Sequence, residues 1–311
     1  MASLPHAIQY QGSKRNLASN ILKYLPNKLE RLVEPFAGTA AISVAVSSRL
    51  ISQQFWINDL NQPLLNLIKL IAEEPNEVSD AYASIWNEQH HDSVGHYYQI
   101  REKFNKTRDP KLFLYLLARC VKGSVRYNSD GFFNQSPDKR RKGTQPEKMR
   151  QNINGVSRLL KGKCYFTSLD YRDVLAEVKS SDFVYMDPPY QGVCGDKDSR
   201  YYSGISFDDF VLALEKLNQT GIGFAISYDG KRGDKIFGNE LPIELNLKKI
   251  ELEVGRSSQA TLLGKDEITI ESLYLSSNLF CNSEFEFDRY HNRINKQLTL
   301  LEPHGQFSTT R

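Results

Sequence analysis

Asp187, Pro188, Pro189 and Tyr190 close the apolar run Asp182-Phe183-Val184-Tyr185-Met186 with a carboxylate, two imino acids and an aromatic ring. Each proline lacks a backbone N–H and fixes φ, so a strand cannot continue through the pair and must turn where it ends. Asp187 and Tyr190 are thereby held at a rim. In an open α/β sheet the carboxyl ends of the strands are where ligands bind. A carboxylate and the free Pro188 carbonyl can each accept a hydrogen bond from an –NH2 group, while a Tyr190 ring stacks on a planar base. A plain strand-ending turn could be built from the same four residues.

A second constellation lies upstream. The segment from Arg31 to Ala45 reads as strand, glycine-bearing turn and helix, with Glu34-Pro35-Phe36-Ala37-Gly38-Thr39-Ala40 at the turn. Such a turn brings backbone N–H groups and a positive helix end toward an anionic ligand group. The three-glycine spacing of the dinucleotide fingerprint is missing. Some twenty residues later Phe55-Trp56-Ile57-Asn58-Asp59 is another short apolar run ending in an acid, placed where a carboxylate would bind a ribose hydroxyl pair. Each alone is also an ordinary βα turn. Together with Asp187 they describe one nucleoside-shaped pocket.

With these residues in this order, the chain resembles the Dam-type (alpha-group) N6-adenine DNA methyltransferases, which use S-adenosylmethionine. Gln9-Tyr10-Gln11-Gly12-Ser13-Lys14-Arg15 resembles the family's aromatic-x-Gly-x-Lys cofactor motif, and Glu34 to Ala40 its Phe-x-Gly-x-Gly loop, with Ala40 standing where a second glycine is usual. Asn58-Asp59 is similar to the ribose-binding acid, Asp170-Tyr171 to the acidic motif beside the cofactor's adenine, and Asp187 to Tyr190 to the catalytic motif. The resemblance runs from about Ala7 to about Asn278. It implies a Rossmann-like class I methyltransferase sheet of α/β type with an inserted, mainly helical target-recognition domain. The implied division is 1–74 and 163–278 for the core, 75–162 for the insert, and 279–311 for an extension of unassigned role.

The resemblance also implies roles. Asp187, Pro188, Pro189 and Tyr190 are the catalytic candidates. The cofactor candidates are Tyr10, Gly12, Ser13, Lys14, Glu34, Phe36, Ala37, Gly38, Thr39, Asp59, Leu60, Asp170, Tyr171 and Asp187 itself. Lys14 would meet the cofactor's carboxylate or a DNA phosphate, Glu34 the cofactor's amino group, and Phe36 and Leu60 its apolar surfaces. No metal is called for. N4-cytosine methylation needs the same grip on an amine and is the nearest alternative, although Asp in place of Ser at the first motif position favours adenine. RNA or protein-glutamine methylation and a non-catalytic DNA-binding subunit are more remote. The absence of a Pro-Cys nucleophile speaks against cytosine C5 chemistry.

Bulk properties agree with this reading. The 311 residues are 40% apolar and 25% charged, enough for an α/β core and a second module. No run of eighteen apolar residues is present, and the residues Met1 to His6 do not read as a signal peptide. Cys120, Cys164, Cys194 and Cys281 are scattered without paired spacing, which argues against a zinc site or a disulfide frame and fits a reducing cytoplasm, bacterial, archaeal or phage-infected. A net charge of +3 does not by itself announce a nucleic-acid partner. Oligomerisation has no signature, so a monomer is the simplest expectation, with a cognate restriction endonuclease as a candidate partner beside double-stranded DNA.

The charge distribution points to the middle of the chain. Val78 through Trp86, Tyr97 through Phe104 and Leu112 through Val121 carry apolar residues at helical spacing. After them come the turn-rich Arg126-Tyr127-Asn128-Ser129-Asp130-Gly131-Phe132-Phe133-Asn134 and the basic Asp138-Lys139-Arg140-Arg141-Lys142-Gly143. Such a loop can neutralise phosphates and offer bidentate partners to base edges, and it can also be ordinary solvated surface. In the family this segment reads the target, so Arg126, Tyr127, Asn128, Asn134, Lys139, Arg140, Arg141 and Lys142 are the DNA-binding candidates. Further along, Phe207 to Leu217 reads as a helix and Gly221 to Ser227 as a strand ending in a loop at Tyr228-Asp229. Ile243 to Val254 and Glu267 to Leu275 read as an antiparallel pair whose loop offers Arg256 and Lys265.

Overall fold

Short strands buried on both faces dominate the centre of the molecule. β1 (Arg31–Glu34), β2 (Phe55–Asn58) and β4 (Asp182–Met186) are apolar runs of four or five residues, too uniformly buried to leave a solvent face. That is the pattern of strands covered by helices on both sides of a parallel sheet. The computed structural model describes residues 4–189, 205–232, 235–256 and 268–281. Tyr190, the segment 191–202, Lys265 and most of the extension beyond 279 lie outside the described residues.

The sheet runs β3-β2-β1-β4-β5-β8-β7, where β3 is Cys164–Thr167, β5 Gly223–Arg232, β7 Lys248–Arg256 and β8 Ile268–Leu275. The first five are parallel, and the β7–β8 hairpin adds antiparallel strands against β5. The short β6 (Lys235–Phe237) pairs with β5 off this path. Strand order reverses between β1 and β4, creating a crevice beyond their carboxyl ends. This is the switch point at which open α/β sheets bind ligands.

Period-two alternation divides the core. Leu32, Ile57, Phe183 and Tyr185 point to one face and join helices α1 (Ala18–Ile21) and α2 (Ala41–Ser48) there. Val33, Trp56, Val184 and Met186 point to the other and meet α8 (Tyr171–Ala176) and α9 (Phe207–Thr220). Between β2 and β3 the chain forms α3 (Gln62–Glu73), α4 (Pro75–Glu88), α5 (Ser93–Thr107), α6 (Pro110–Arg119) and α7 (Pro146–Leu160). Asp92 and Asp109 cap α5 and α6 through their side chains, and Pro110 occupies the first turn of α6. α7 packs on α2, α3 and α4, and one continuous apolar cluster runs from the sheet into these helices.

Two elements differ from their sequence pattern. β5 does not end at Ser227 but continues through Arg232, with a bulge between Tyr228 and Gly230. Ile243–Leu245 is a 3₁₀ turn rather than strand, stopped by Asn246 at φ +48°, so β7 starts only at Lys248. Asn is among the few residues that enter the left-handed region at modest cost.

β1 and β4, whose ends form the crevice, are tied at their beginnings. Arg31 lies opposite Asp182 in register and donates from Nε and Nη2 to its two carboxylate oxygens at 2.8 and 2.6 Å. The Asp182 side chain is 2% exposed and that of Arg31 21%. Removing the cation leaves a buried carboxylate uncompensated. Arg31→Met should therefore lower unfolding free energy by about 2–4 kcal/mol, and adding Asp182→Asn should return part of it. Urea titrations check this; an unchanged midpoint in Arg31→Met would show the pair to be dispensable.

Candidate active site

A cavity of about 380 Å³ opens at the crevice beyond β1 and β4. Every cofactor candidate named from the sequence lines it: Tyr10, Gly12, Ser13 and Lys14 from the N-terminal segment, Glu34, Phe36, Ala37, Gly38 and Thr39 after β1, Asp59 and Leu60 after β2, Asp170 and Tyr171 before and within α8, and Asp187 after β4. Pro188 and Pro189 line it too. Tyr190 falls outside the described residues.

The loop after β1 is held by its neighbours. Asp59 accepts the Gly38 N–H at Oδ2 and the Asn61 N–H at Oδ1, both at 2.8 Å. Gly38 and Ala40 both take the left-handed conformation, at φ +52° and +53°. Alanine at the second position thus follows a path natural to glycine, at a strain of about 1 kcal/mol. Ser13 Oγ and Thr39 Oγ1, 3.0 Å apart, join the N-terminal segment to the same loop. Sequence reading pointed to a bare helix end facing an anion. Instead Glu34 Oε1 accepts the Ser43 N–H at 2.9 Å and also bonds the Ser43 hydroxyl, so the strand-end acid itself caps α2.

Asn58 is the positioning residue that sequence reading missed. It is fully buried, and its Nδ2 donates to the carbonyls of Pro35 (2.9 Å) and Leu169 (3.0 Å). Its Oδ1 accepts from Thr167 Oγ1 and Leu169 N, both at 2.8 Å. One amide thereby locks together the loops after β1 and β3, which carry Phe36 and Asp170. Phe36, Tyr171 and Phe210 form an aromatic wall with ring centroids 5.2 to 6.4 Å apart. The Tyr171 hydroxyl is buried with no hydrogen-bond partner among the described residues.

The acids in this cavity share one electrostatic problem. Burial pushes Glu34 up to about 7, against the Ser43 hydrogen bonds, with the charges of Asp187 and Asp59 adding to the rise. Burial likewise lifts Asp59 to about 6 despite two backbone N–H donors. Asp187 is lifted to about 6 by burial; Lys14 opposes the rise, and Glu271 and Asp59 add to it. Lys14 is 7% exposed and lies 3.1 Å from Asp187 Oδ1 and 2.9 Å from Glu271 Oε2. The structure therefore places this ammonium between two carboxylates, an arrangement the sequence did not suggest. Glu271 was no candidate in the sequence.

The DNA-binding candidates sit apart from the cavity. Arg126, Asn128 and Asn134 are exposed on the turn closed by the Tyr127–Phe133 bridge, whereas Tyr127 is buried, its hydroxyl donating to Asn61 Oδ1 at 3.2 Å. Tyr127 thus fastens the turn to the start of α3 instead of facing outward. Lys139, Arg140, Arg141 and Lys142 are exposed, with Arg141 paired to Asp138 at 2.7 Å. The backbone beneath them is pinned: buried Arg119 donates to the carbonyls of Asp138 (3.0 Å) and Arg141, Gln89 to that of Lys142 (3.1 Å) and Tyr82 to that of Thr144 (2.6 Å). Carbonyls face inward and cationic side chains outward. Among the described residues no group of His, Cys, Asp or Glu is placed to hold a metal, and no helix is long and apolar enough to cross a membrane.

Comparison with known proteins places the chain among DNA methyltransferases. Residues 10–252 match the model of the D12 class N6 adenine-specific DNA methyltransferases. The retron Ec67 DNA adenine methylase of Escherichia coli is 30% identical over 209 residues, covering 65% of this chain and 67% of that protein. The DNA adenine methylase of E. coli K12 is 30% identical over 204 residues, 64% of this chain and 70% of that protein. The type II methyltransferase M.MjaIII of Methanocaldococcus jannaschii is 27% identical over 221 residues, 65% and 74% of the two chains.

The raised acids make a stability prediction. A carboxyl whose folded pKa exceeds its unfolded value stabilises the fold fully at low pH and loses that contribution as pH rises through the folded pKa. For Glu34 the window runs from about 4.5 to about 7. Glu34→Gln keeps an acceptor for Ser43 but cannot ionise. The parent protein should lose up to about 3 kcal/mol relative to Glu34→Gln between pH 4.5 and 8. Parallel pH profiles of unfolding free energy for the two proteins would refute the assignment.

Proposed function

The chain belongs to the D12 class N6 adenine-specific DNA methyltransferase family, and from that premise we propose that it moves a methyl group from S-adenosylmethionine to N6 of an adenine flipped out of double-stranded DNA. The observation that carries this reading is the convergence of Asp187 and Pro188 on the same cavity as Glu34 and Asp59. S-adenosylmethionine supplies an electrophilic methyl group on a sulfonium leaving group. The cavity fits such a molecule chemically: its carboxylates suit a cation with an amino group and a ribose diol, and the Phe36 and Tyr171 rings in its wall suit a purine. In this reading Asp59 takes the ribose hydroxyls, Glu34 faces the amino group, and Phe36, Leu60, Asp170 and Tyr171 border the adenine.

The target amine is a poor nucleophile because its lone pair is delocalised into the ring. The Asp187 carboxylate and the Pro188 carbonyl, each accepting one N–H, draw that lone pair out of conjugation and aim it for in-line transfer. Ionised, Asp187 is the stronger acceptor and leaves both oxygens free of a proton. Burial works against this, and the neighbouring Lys14 works for it. The target nitrogen lies inside the base stack, so the adenine has to leave the duplex. Tyr190 would replace the stacking given up there, worth about 1–3 kcal/mol per base. Lys139, Arg140, Arg141 and Lys142 meet phosphates, and Arg126, Asn128 and Asn134 lie on the turn that reads the target.

Expressed in a host without adenine methylation, the protein should install N6-methyladenine at one sequence word, mapped at single-base resolution. Asp187→Ala should leave that DNA unmodified while its melting temperature stays close to that of the parent; methylation by this variant would overturn the mechanism. Replacing Arg140 and Lys142 by Ala should weaken DNA binding and reduce its salt slope by about one for each phosphate no longer neutralised. Unchanged salt dependence in a fluorescence anisotropy titration would remove the basic loop from the interface.

A further inference from the structure

One cation serves two acids at the reacting end of the cavity. Lys14 Nζ lies 3.1 Å from Asp187 Oδ1 and 2.9 Å from Glu271 Oε2. The three residues come from the N-terminal segment, the end of β4 and the middle of β8, so only the fold brings them together. Glu271 Oε2 is buried, and its approach to Lys14 is a close ionic contact without aligned hydrogen-bond geometry. The Glu271 side chain as a whole is half-buried, 21% exposed, with this oxygen turned inward to the cation.

The backbone around Glu271 is built for that placement. β5 pairs Tyr228 with Ser272 and Gly230 with Glu271, leaving Asp229 as an extra residue at φ +52°. Such a bulge bends a strand and re-aims the side chains beside it. A Cβ at Gly230 would stand 2.7 Å from the Ile270 carbonyl oxygen, so glycine is what lets β8 come this close.

The charge count explains what the second acid can do. As the amine attacks the methyl carbon, positive charge grows on its nitrogen. Asp187 and Lys14 alone form a neutral pair and offer that charge little net field. With Glu271 ionised the trio carries a net charge of minus one beside the reacting nitrogen, and preorganised charge of the right sign is a major source of rate enhancement. Resting on the adenine-methylation reading above, we propose that Glu271 is a positioning residue for methyl transfer, acting through Lys14 to hold the ammonium at Oδ1 of Asp187, leave Oδ2 to the substrate amine and keep the trio anionic.

Steady-state kinetics of the full chain on methylatable duplex DNA test this. Glu271→Gln should lower kcat on the order of tenfold or more, with KM for DNA and for S-adenosylmethionine changed little. Among the described residues the charges that act on Asp187 are those of Lys14, Glu271 and Asp59, while Glu34, Asp170, Arg172 and Asp209 line the same cavity. Glu271 and Asp59 raise its pKa and Lys14 lowers it. Neutralising Glu271 removes one of the raising charges, so the acid limb of the kcat profile should move to lower pH. Glu271→Asp, which keeps the charge, should retain more activity than Glu271→Gln. Parent-like kcat in Glu271→Gln would overturn the proposal, as would a kcat loss with an unmoved acid limb or equal losses in Gln and Asp. If the parent enzyme itself leaves adenine unmodified, the underlying reading fails instead.

Discussion

Carboxylates gathered at the ends of adjacent parallel strands, with a buried ammonium set among them, are the constraint around which the rest is arranged. Glu34 ends β1, Asp59 and Asp187 follow β2 and β4, and burial makes each of them reluctant to ionise. The protein offsets this with donors drawn from elsewhere: Ser43 for Glu34, Gly38 and Asn61 for Asp59, Lys14 for Asp187. These donors do not fully cancel the burial, and all three acids remain above their ordinary range. A site in that condition is poised for a cationic ligand, which lowers the energy of every ionised carboxylate it approaches. Concentrating such a cost at one site is typical of ligand-binding clefts, whose stability is given up for function.

The same economy of side chains organises the basic loop. A run of cations cannot hold its own shape, because its members repel and its carbonyls need donors. Arg119, buried at the end of α6, supplies a guanidinium to the carbonyls of Asp138 and Arg141, and Nη2 reaches Ser93 O at 3.1 Å. Gln89 and Tyr82 serve the next carbonyls along. Fixing the backbone this way reduces the entropy that any ligand of the loop would have to remove on binding.

Much of this site was legible in the sequence because its acids end apolar runs. A carboxylate followed by prolines, or one closing a β-type run before a helix, announces itself at a strand terminus, and Asp187, Glu34 and Asp59 stand where such runs stop. Glu271 gave no signal: Ile268-Thr269-Ile270-Glu271-Ser272-Leu273 reads as an alternating strand with a solvent-facing acid. Its approach to Lys14 arises from how β8 pairs and packs and not from local pattern. Arg119 was equally silent, since a basic residue at a helix end ordinarily faces water, and its partners lie up to 26 positions away. Asn58 was visible only as the residue before an acid. Its four hydrogen bonds, three to two loops and one to Thr167 in β3, can be counted only after the strands are aligned.

The helical insert with its turn and the cavity share contacts and one apolar core. The Tyr127 hydroxyl reaches Asn61, whose own N–H holds Asp59. Gln11 N donates to the Gly123 carbonyl at 3.0 Å, and Gln9 Nε2 to Thr144 Oγ1 at 3.2 Å, so the N-terminal segment that lines the cavity is stitched to both sides of the basic loop and turn. One apolar cluster continues from Leu32 and Phe183 in the sheet to Phe104, Phe113 and Phe133 beneath the turn. Close-packed interiors transmit displacement rather than absorbing it. A movement of the turn is therefore felt at Asn61 and Asp59, and the distance from the turn to Asp187 is set by packed core.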